Sequence, residues 1–189
     1  MPASLVDADS RHTDRKPMAE NTFKPLKIAI LTVSDTRTTE TDGSGRLLEE
    51  RINATGHHPP VRKIVPDNIY AIRATLSCWI AQDDIDVILT TGGTGVTGRD
   101  GTPEAAEVLF DKTLDGFGET FRQLSFEEIG TSTIQSRAIA GVANGTYIFC
   151  LPGSSGACRL GWDRVIAPQL DFRTRPCNLV ELIPRLKER

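Results

Sequence analysis

Three aspartates, a cluster of glycines and several hydroxyls carry the chemistry open to this sequence. Asp100 closes the stretch Thr90-Thr91-Gly92-Gly93-Thr94-Gly95-Val96-Thr97-Gly98-Arg99-Asp100. Glycine tolerates positive φ and lets backbone approach a ligand closely. Threonine hydroxyls and bare amides hold phosphates or pterin-like rings. Ser34-Asp35, Asp67 and the run Pro152-Gly153-Ser154-Ser155-Gly156 are the companion stretches. Each follows an apolar run that reads as a strand, and ligands of open α/β sheets bind beyond the C-terminal ends of the strands. A fold needs tight turns there, but not three carboxylates and several hydroxyls converging on one edge. Asp67 and Asp100, on neighbouring loops, form a pair able to hold one Mg²⁺, a hard cation that takes carboxylates plus substrate phosphates. That chemistry favours phosphoryl or nucleotidyl transfer. The bland alternatives are a tight turn that binds nothing and, for Asp67 alone, a helix N-cap.

The elements that must position these groups follow from periodicity. Residues 27–33 (KIAILTV) are apolar on both faces, as a central parallel strand is. A helix through about Ala54 follows, with Leu47, Leu48 and Ile52 as its buried stripe and Gly56 as its stop. Residues 61–65 form a second strand. Ile69, Ile72, Leu76, Trp79 and Ile80 recur at helical spacing, capped by Asp67 or Asn68. The run 85–89 is the third strand and feeds the glycine loop. Thr102 as N-cap and Pro103 at the first helical position open a helix to about Lys112. Gly116-Phe117-Gly118-Glu119 breaks the chain before a helix over residues 120–128. Runs 136–142 and 146–151 flank Ala143-Asn144-Gly145, the strongest short hairpin signal, so one strand is antiparallel. A helix begins near Ala157, with Pro168 closing it, and a short terminal helix follows Asn178. This order argues a three-layer α/β/α fold with a mostly parallel sheet and one antiparallel hairpin strand. Residues 1–24 read as a disordered polar tail and 25–189 as a single domain.

Composition narrows the function classes. The 22 basic and 25 acidic residues nearly balance, so nothing marks a nucleic-acid or anionic-membrane partner. No apolar run is long enough to span a bilayer, and the N-terminal residues have no apolar stretch like a signal peptide, so the protein is expected to stay in the cytoplasm. Cys78, Cys150, Cys158 and Cys177 form no C-x-x-C and read as reduced core or near-core thiols. His57-His58 follows a glycine in a turn and reads as solvent-facing. Gly93-x-Gly95-x-x-Gly98 matches the dinucleotide fingerprint as a string, but the helix opens too late and no strand follows with an acid for a ribose. Arg99, Arg122 and Arg137 could contact phosphate, but surface arginines are usually solvated, and they read so here.

The glycine loop with Arg99-Asp100 and Thr102-Pro103-Glu104-Ala105 resembles the MoaB/MogA family. Gly116-Phe117-Gly118-Glu119, Ser136-Arg137 and Leu151-Pro152-Gly153 match further stations in order, over about residues 26–178. The segments 124–137, 140–144 and 174–178 look like the B-type members in particular. The resemblance implies a role in making molybdenum cofactor: molybdopterin binding and its adenylylation with Mg²⁺ and ATP before molybdate insertion. It places the acting, metal-holding carboxylates on Asp67 and Asp100. It places the pterin-side loop on Gly92, Gly93, Thr94 and Gly95 and matches Ser136 to a family serine near the ligand; Ser34, Asp35, Thr91, Pro152, Gly153 and Ser154, from the strand-end loops, complete the candidate ligand contacts. Ser155 stands where many active relatives carry proline. Trimers or hexamers and other cofactor-biosynthesis proteins are the implied partners. The alternative is a carrier or regulatory protein of the same pathway that binds molybdopterin without chemistry.

Overall fold

The residues of β1 (Ile28–Val33) are all buried, and they split by parity. Ile28 and Ile30 face one core with Leu48, Phe121 and Trp162, whereas Ala29, Leu31 and Val33 face the other with Ile72, Leu76 and Trp79. A strand with period two must bury both faces when helices cover both sides. The computed structural model describes residues 22–188. The chain runs β1, α1 (Gly43–Thr55), β2 (Val61–Val65), α2 (Ile69–Ile80), β3 (Val87–Thr91) and α3 (Thr102–Glu107). It continues through β4 (Lys112–Thr113), α4 (Asp115–Ile129), a 3₁₀ turn over Gly130–Gln135, β5 (Ile139–Ala143) and β6 (Thr146–Leu151). The last elements are α5 (Ser155–Gly161), a π-helical stretch (Trp162–Ile166), α6 (Ala167–Gln169) and a 3₁₀ turn over Val180–Arg185.

The six-stranded sheet has the order β2-β1-β3-β6-β5-β4. β1, β2, β3 and β6 are parallel, and β5 runs against both of its neighbours. The hairpin expected at Asn144-Gly145 forms with both residues at positive φ, 47° and 83°, the twist that suits a two-residue turn. Register then aligns the strand ends: Val33 pairs with Val65, Thr32 with Thr91, and Thr91 with Leu151. The four chemistry-bearing loops therefore leave the sheet at one level. α1 packs on one face and α2 and α3 on the other. The chain after β1 and the chain after β3 diverge, leaving a crevice between them.

Several local expectations change. The third strand starts at Val87 and runs through Thr90 and Thr91, because threonine suits a strand as well as an apolar residue does. Gly116 and Gly118 lie inside α4 rather than breaking the chain before it. A methyl on Gly118 would sit 2.6 Å from the Ala138 carbonyl oxygen, so this glycine allows close helix–sheet contact. α3 ends at Glu107, and residues 112–113 form a short edge strand that alternation alone did not reveal. Pro168 lies within α6 rather than closing the helical run. His57 is buried, its Nδ1 accepting the Leu26 amide at 3.2 Å and its ring edge-on to Trp162. Cys150 and Cys158 are core residues; Cys78 and Cys177 are at the surface. The tail expected over residues 1–24 lies outside the described residues, except for its last three, where Phe23 packs its ring 5.0 Å from that of His57.

Candidate functional site

The glycine loop is built by close approaches that only glycine permits. Gly92 has φ 104° and Gly93 φ 64°, values that strain any side chain. A methyl on Gly92 would lie 2.2 Å from the Val33 carbonyl oxygen. The Gly92 amide donates to the Leu151 carbonyl at 3.1 Å, and Gly153 packs against the Gly92 Cα. Thr102 does not cap α3. It is the first helical residue, and its hydroxyl reaches back to the Gly92 carbonyl at 2.8 Å while its amide donates to the Gly93 carbonyl at 3.0 Å. The loop is thus held from β1, β6 and α3 together.

The two aspartates flank this loop. A methyl on Gly93 would be 3.1 Å from Asp67 Oδ1, and one on Gly95 would be 2.7 Å from Asp100 Oδ2. Asn68, not Asp67, caps α2, accepting the amides of Tyr70 and Ala71 at 2.9 and 3.1 Å. Asp67 is left without a capping role, and its Oδ1 is buried with no hydrogen-bond partner. Asp100 Oδ2 accepts the Thr97 amide at 2.9 Å and the Thr97 hydroxyl at 2.6 Å.

These surroundings push the two carboxyls apart. Burial raises the pKa of Asp67, with the charges of Asp100 and Asp35 adding to it. The Thr97 hydroxyl holds that of Asp100 below its usual range, aided by the Thr97 and Gly95 amides and the Arg137 charge. A carboxylate pair of this kind, one oriented by hydrogen bonds to its Oδ2 and one with a free buried oxygen, suits a hard divalent cation. Among the described residues no group of three or more His, Cys, Asp or Glu gathers around a common point. A cation here would keep positions open for phosphate oxygens.

A groove of about 450 Å³ runs over the loop. Its floor is Gly92 to Gly95; Pro152, Gly153 and Ser154 form one wall and Gln135 and Ser136 another, with Phe121 and Ile129 at its apolar end. Ser136 Oγ is buried there without a partner. A cleft of about 430 Å³ lies beside it, lined by Asp67, Tyr70, Arg99 and Asp100. A larger hollow of about 780 Å³ borders Ser34, Asp35 and β2, but the glycine loop and Asp67 do not line it. Its described lining residues carry none of the unpartnered buried oxygens that mark the other two.

Residues 29–171 match the family model described as a probable molybdopterin binding domain. The chain is 60% identical over 156 residues to molybdenum cofactor biosynthesis protein B of Escherichia coli K12, covering 82% of this chain and 92% of the relative. It is 46% identical over 151 residues to the protein of that name from Staphylococcus epidermidis, covering 78% and 86%. The chain belongs to the MoaB/MogA family. A crystal structure of a molybdenum cofactor biosynthesis protein B superposes with TM-score 0.78 at 41% identity, over 88% of this chain and 98% of that one. The tungsten cofactor synthesizing protein MoaB from Pyrococcus furiosus superposes with TM-score 0.68 at 39% identity, over 76% and 92%.

In this MoaB/MogA chain the expected site residues separate into two groups. Asp67, Asp100, the loop Gly92–Gly95, Ser136, Pro152, Gly153 and Ser154 meet at the groove and its neighbouring cleft. Thr91 is fully buried, its hydroxyl committed to the Pro152 carbonyl at 3.2 Å and to Cys158 Sγ at 3.1 Å. Ser34 accepts the amides of Thr36 and Arg37, and Asp35 accepts the Asp67 amide at 3.2 Å while pairing with Arg99. Thr91 thus holds the loop from within the core, whereas Ser34 and Asp35 line the separate hollow beside β2.

Sequence reading missed the parts that Thr97, Thr102 and Arg137 play. A threonine three residues before an aspartate in a glycine-rich turn was a usable local signal for Thr97. For Arg137 no such signal existed. Its guanidinium bonds the Gly95 carbonyl at 2.7 Å, the Asp100 carbonyl at 2.8 Å and the Glu104 carboxylate. Arg122 is likewise tied, to the Ala138 carbonyl at 3.1 Å.

Proposed function

We propose that this chain is a Mg²⁺-dependent nucleotidyltransferase that adenylylates molybdopterin with ATP before molybdate insertion. The observation that carries the reading is Asp67 Oδ1, a buried carboxylate oxygen without a partner beside a loop whose other flank is Asp100. An unpaired buried carboxylate oxygen is unfavourable unless something else satisfies it. Asp67 and Asp100 are the residues that would hold the cation. Bound there with ATP, Mg²⁺ supplies charge neutralisation of the phosphates and orientation of the leaving group. In the transfer, the acceptor group of molybdopterin attacks the α-phosphorus of ATP, the bond to the bridging oxygen breaks, and pyrophosphate leaves.

The protein's own part is positioning. The glycine loop brings bare backbone to the groove floor, and Ser136 offers an uncommitted hydroxyl. The family's molybdopterin-binding domain supports the pterin as occupant of the groove. Phe126, Ile129 and Ile134 are exposed near the C-terminal end of α4 and give an apolar surface on which a homo-oligomer would form. Among the described residues no helix is long and apolar enough to cross a membrane. Incubation of the purified protein with molybdopterin, ATP and Mg²⁺ is expected to yield adenylylated molybdopterin and pyrophosphate. Pterin binding without AMP transfer would assign a carrier role instead.

A further inference from the structure

The groove over the glycine loop and the cleft beside Asp67 are separate hollows, and among the described residues Asp100 is the one that lines both. A reaction between two substrates needs such an arrangement: a place for each, and a shared group where they meet. The far wall of the cleft is the start of α2, where Tyr70 stands 76% exposed. Aromatic rings bury large apolar areas when packing allows it, so a ring left open at the mouth of a cleft is a surface available to a ligand.

Local structure holds Tyr70 beside the loop that ends in Asp100. Gly101 abuts Ile69 so closely that a methyl on it would lie 2.8 Å from Ile69 Cγ1. Arg73 lies 6.0 Å from the Tyr70 ring centroid and is anchored to α3 through the Glu104 carbonyl at 3.0 Å. The Asn68 side chain takes up the Tyr70 and Ala71 amides, so the Tyr70 ring is the group that this turn of α2 presents to the cleft. The cleft is therefore lined by an aromatic ring together with the carboxylates of Asp67 and Asp100 and the guanidinium of Arg99.

We infer that this cleft takes the nucleotide and that Tyr70 is the platform on which its purine base stacks, with the phosphates directed toward Asp67 and Asp100. The inference rests on the proposed nucleotidyl transfer and adds which hollow receives which substrate. It makes Tyr70 a determinant of nucleotide binding that neither the glycine loop nor the aspartates supply.

The test is calorimetric binding of Mg–ATP and of Mg–tripolyphosphate to the full-length protein and to its Tyr70→Ala and Tyr70→Phe variants. The unaltered protein is expected to bind both probes. Tyr70→Ala is expected to weaken Mg–ATP about tenfold or more, the loss that follows from removing one base–aromatic stack. It should leave Mg–tripolyphosphate unchanged, and Tyr70→Phe should retain the affinity for Mg–ATP. Unchanged Mg–ATP binding in Tyr70→Ala would overturn the inference while leaving nucleotidyl transfer intact. So would equal losses for both probes, or a change confined to oligomeric state, which would assign the ring to a subunit contact. Failure of the unaltered protein to bind either probe would overturn nucleotidyl transfer as well.

Discussion

Arg137 donates from Nη2 to the main-chain carbonyl of Asp100 at 2.8 Å, and its Nε donates to the Gly95 carbonyl at 2.7 Å. The two carbonyls lie at opposite ends of the loop that carries Thr97, so one guanidinium closes it. The Arg137 amide adds a bond to the Thr94 carbonyl at 3.1 Å. Arg137→Met should therefore lower stability by about 2 kcal/mol, the usual size for hydrogen bonds from a charged donor. Faster amide exchange should be confined to residues 95–100. Arg137→Lys should restore little of this, because an ammonium cannot present a planar fork to several acceptors. Denaturant titration and hydrogen exchange on the two variants test both points.

The two aspartates should respond oppositely to neutralisation. The pKa of Asp67 is raised, first by burial and then by Asp100 and Asp35. A carboxyl with a raised folded value stabilises the fold only while protonated, and that contribution is lost as pH rises through the folded value. Asp67→Asn should thus increase stability at neutral pH, by at most about 1 kcal/mol given solvent screening at a half-buried site. The pKa of Asp100 is lowered, chiefly by the Thr97 hydroxyl. Its contribution is present above the unfolded value and lost as pH falls through the folded one, so Asp100→Asn should decrease stability at neutral pH. Both variants should lose AMP transfer while retaining pterin binding. Melting temperatures that shift in the same direction for both would contradict the electrostatic assignment.

Gly92 and Gly98 offer a contrast within one loop. Gly92→Ala places a methyl 2.2 Å from the Val33 carbonyl oxygen at a φ of 104°, and should destabilise by about 2 kcal/mol or more. A methyl on Gly98 would meet nothing within 4 Å among the described residues, and Gly98→Ala should stay within about 0.5 kcal/mol of the parent. Equal thermal denaturation midpoints for the two variants would exclude the close approach at Gly92.

His57 gives the fold an acid-sensitive contact. Burial pushes its pKa down to about 4 from an ordinary value of 6.5. The unfolded chain therefore binds a proton that the folded chain resists. The stability from the neutral ring is complete above pH 6.5 and declines as pH falls toward 4. His57→Gln, which keeps an acceptor for the Leu26 amide, should flatten stability across that window. Denaturation midpoints at intervals from about pH 7 to about pH 4 measure it.

The β1, β2, β3 and β6 runs, the α1 stop at Gly56 and the Asn144-Gly145 hairpin were legible because each depends on local periodicity or turn chemistry. So were the glycine loop and both aspartates, since residues of those types after apolar runs form a pattern visible in one dimension. Four features were set only when the chain folded. Register brought Val33, Val65, Thr91 and Leu151 to one level, and no local signal specifies register between strands far apart in sequence. Packing turned Gly118 from a breaker into a contact and His57 from a surface residue into a core one. Asn68 took the cap and left the Asp67 oxygen unpaired. Arg137, 37 residues beyond Asp100 in the chain, became the clamp on its loop. Local sequence determined which groups the protein could bring to a site. Only long-range packing, which fixes distances, burial and hydrogen-bond partners, decided which stayed free to act and which were committed to holding them.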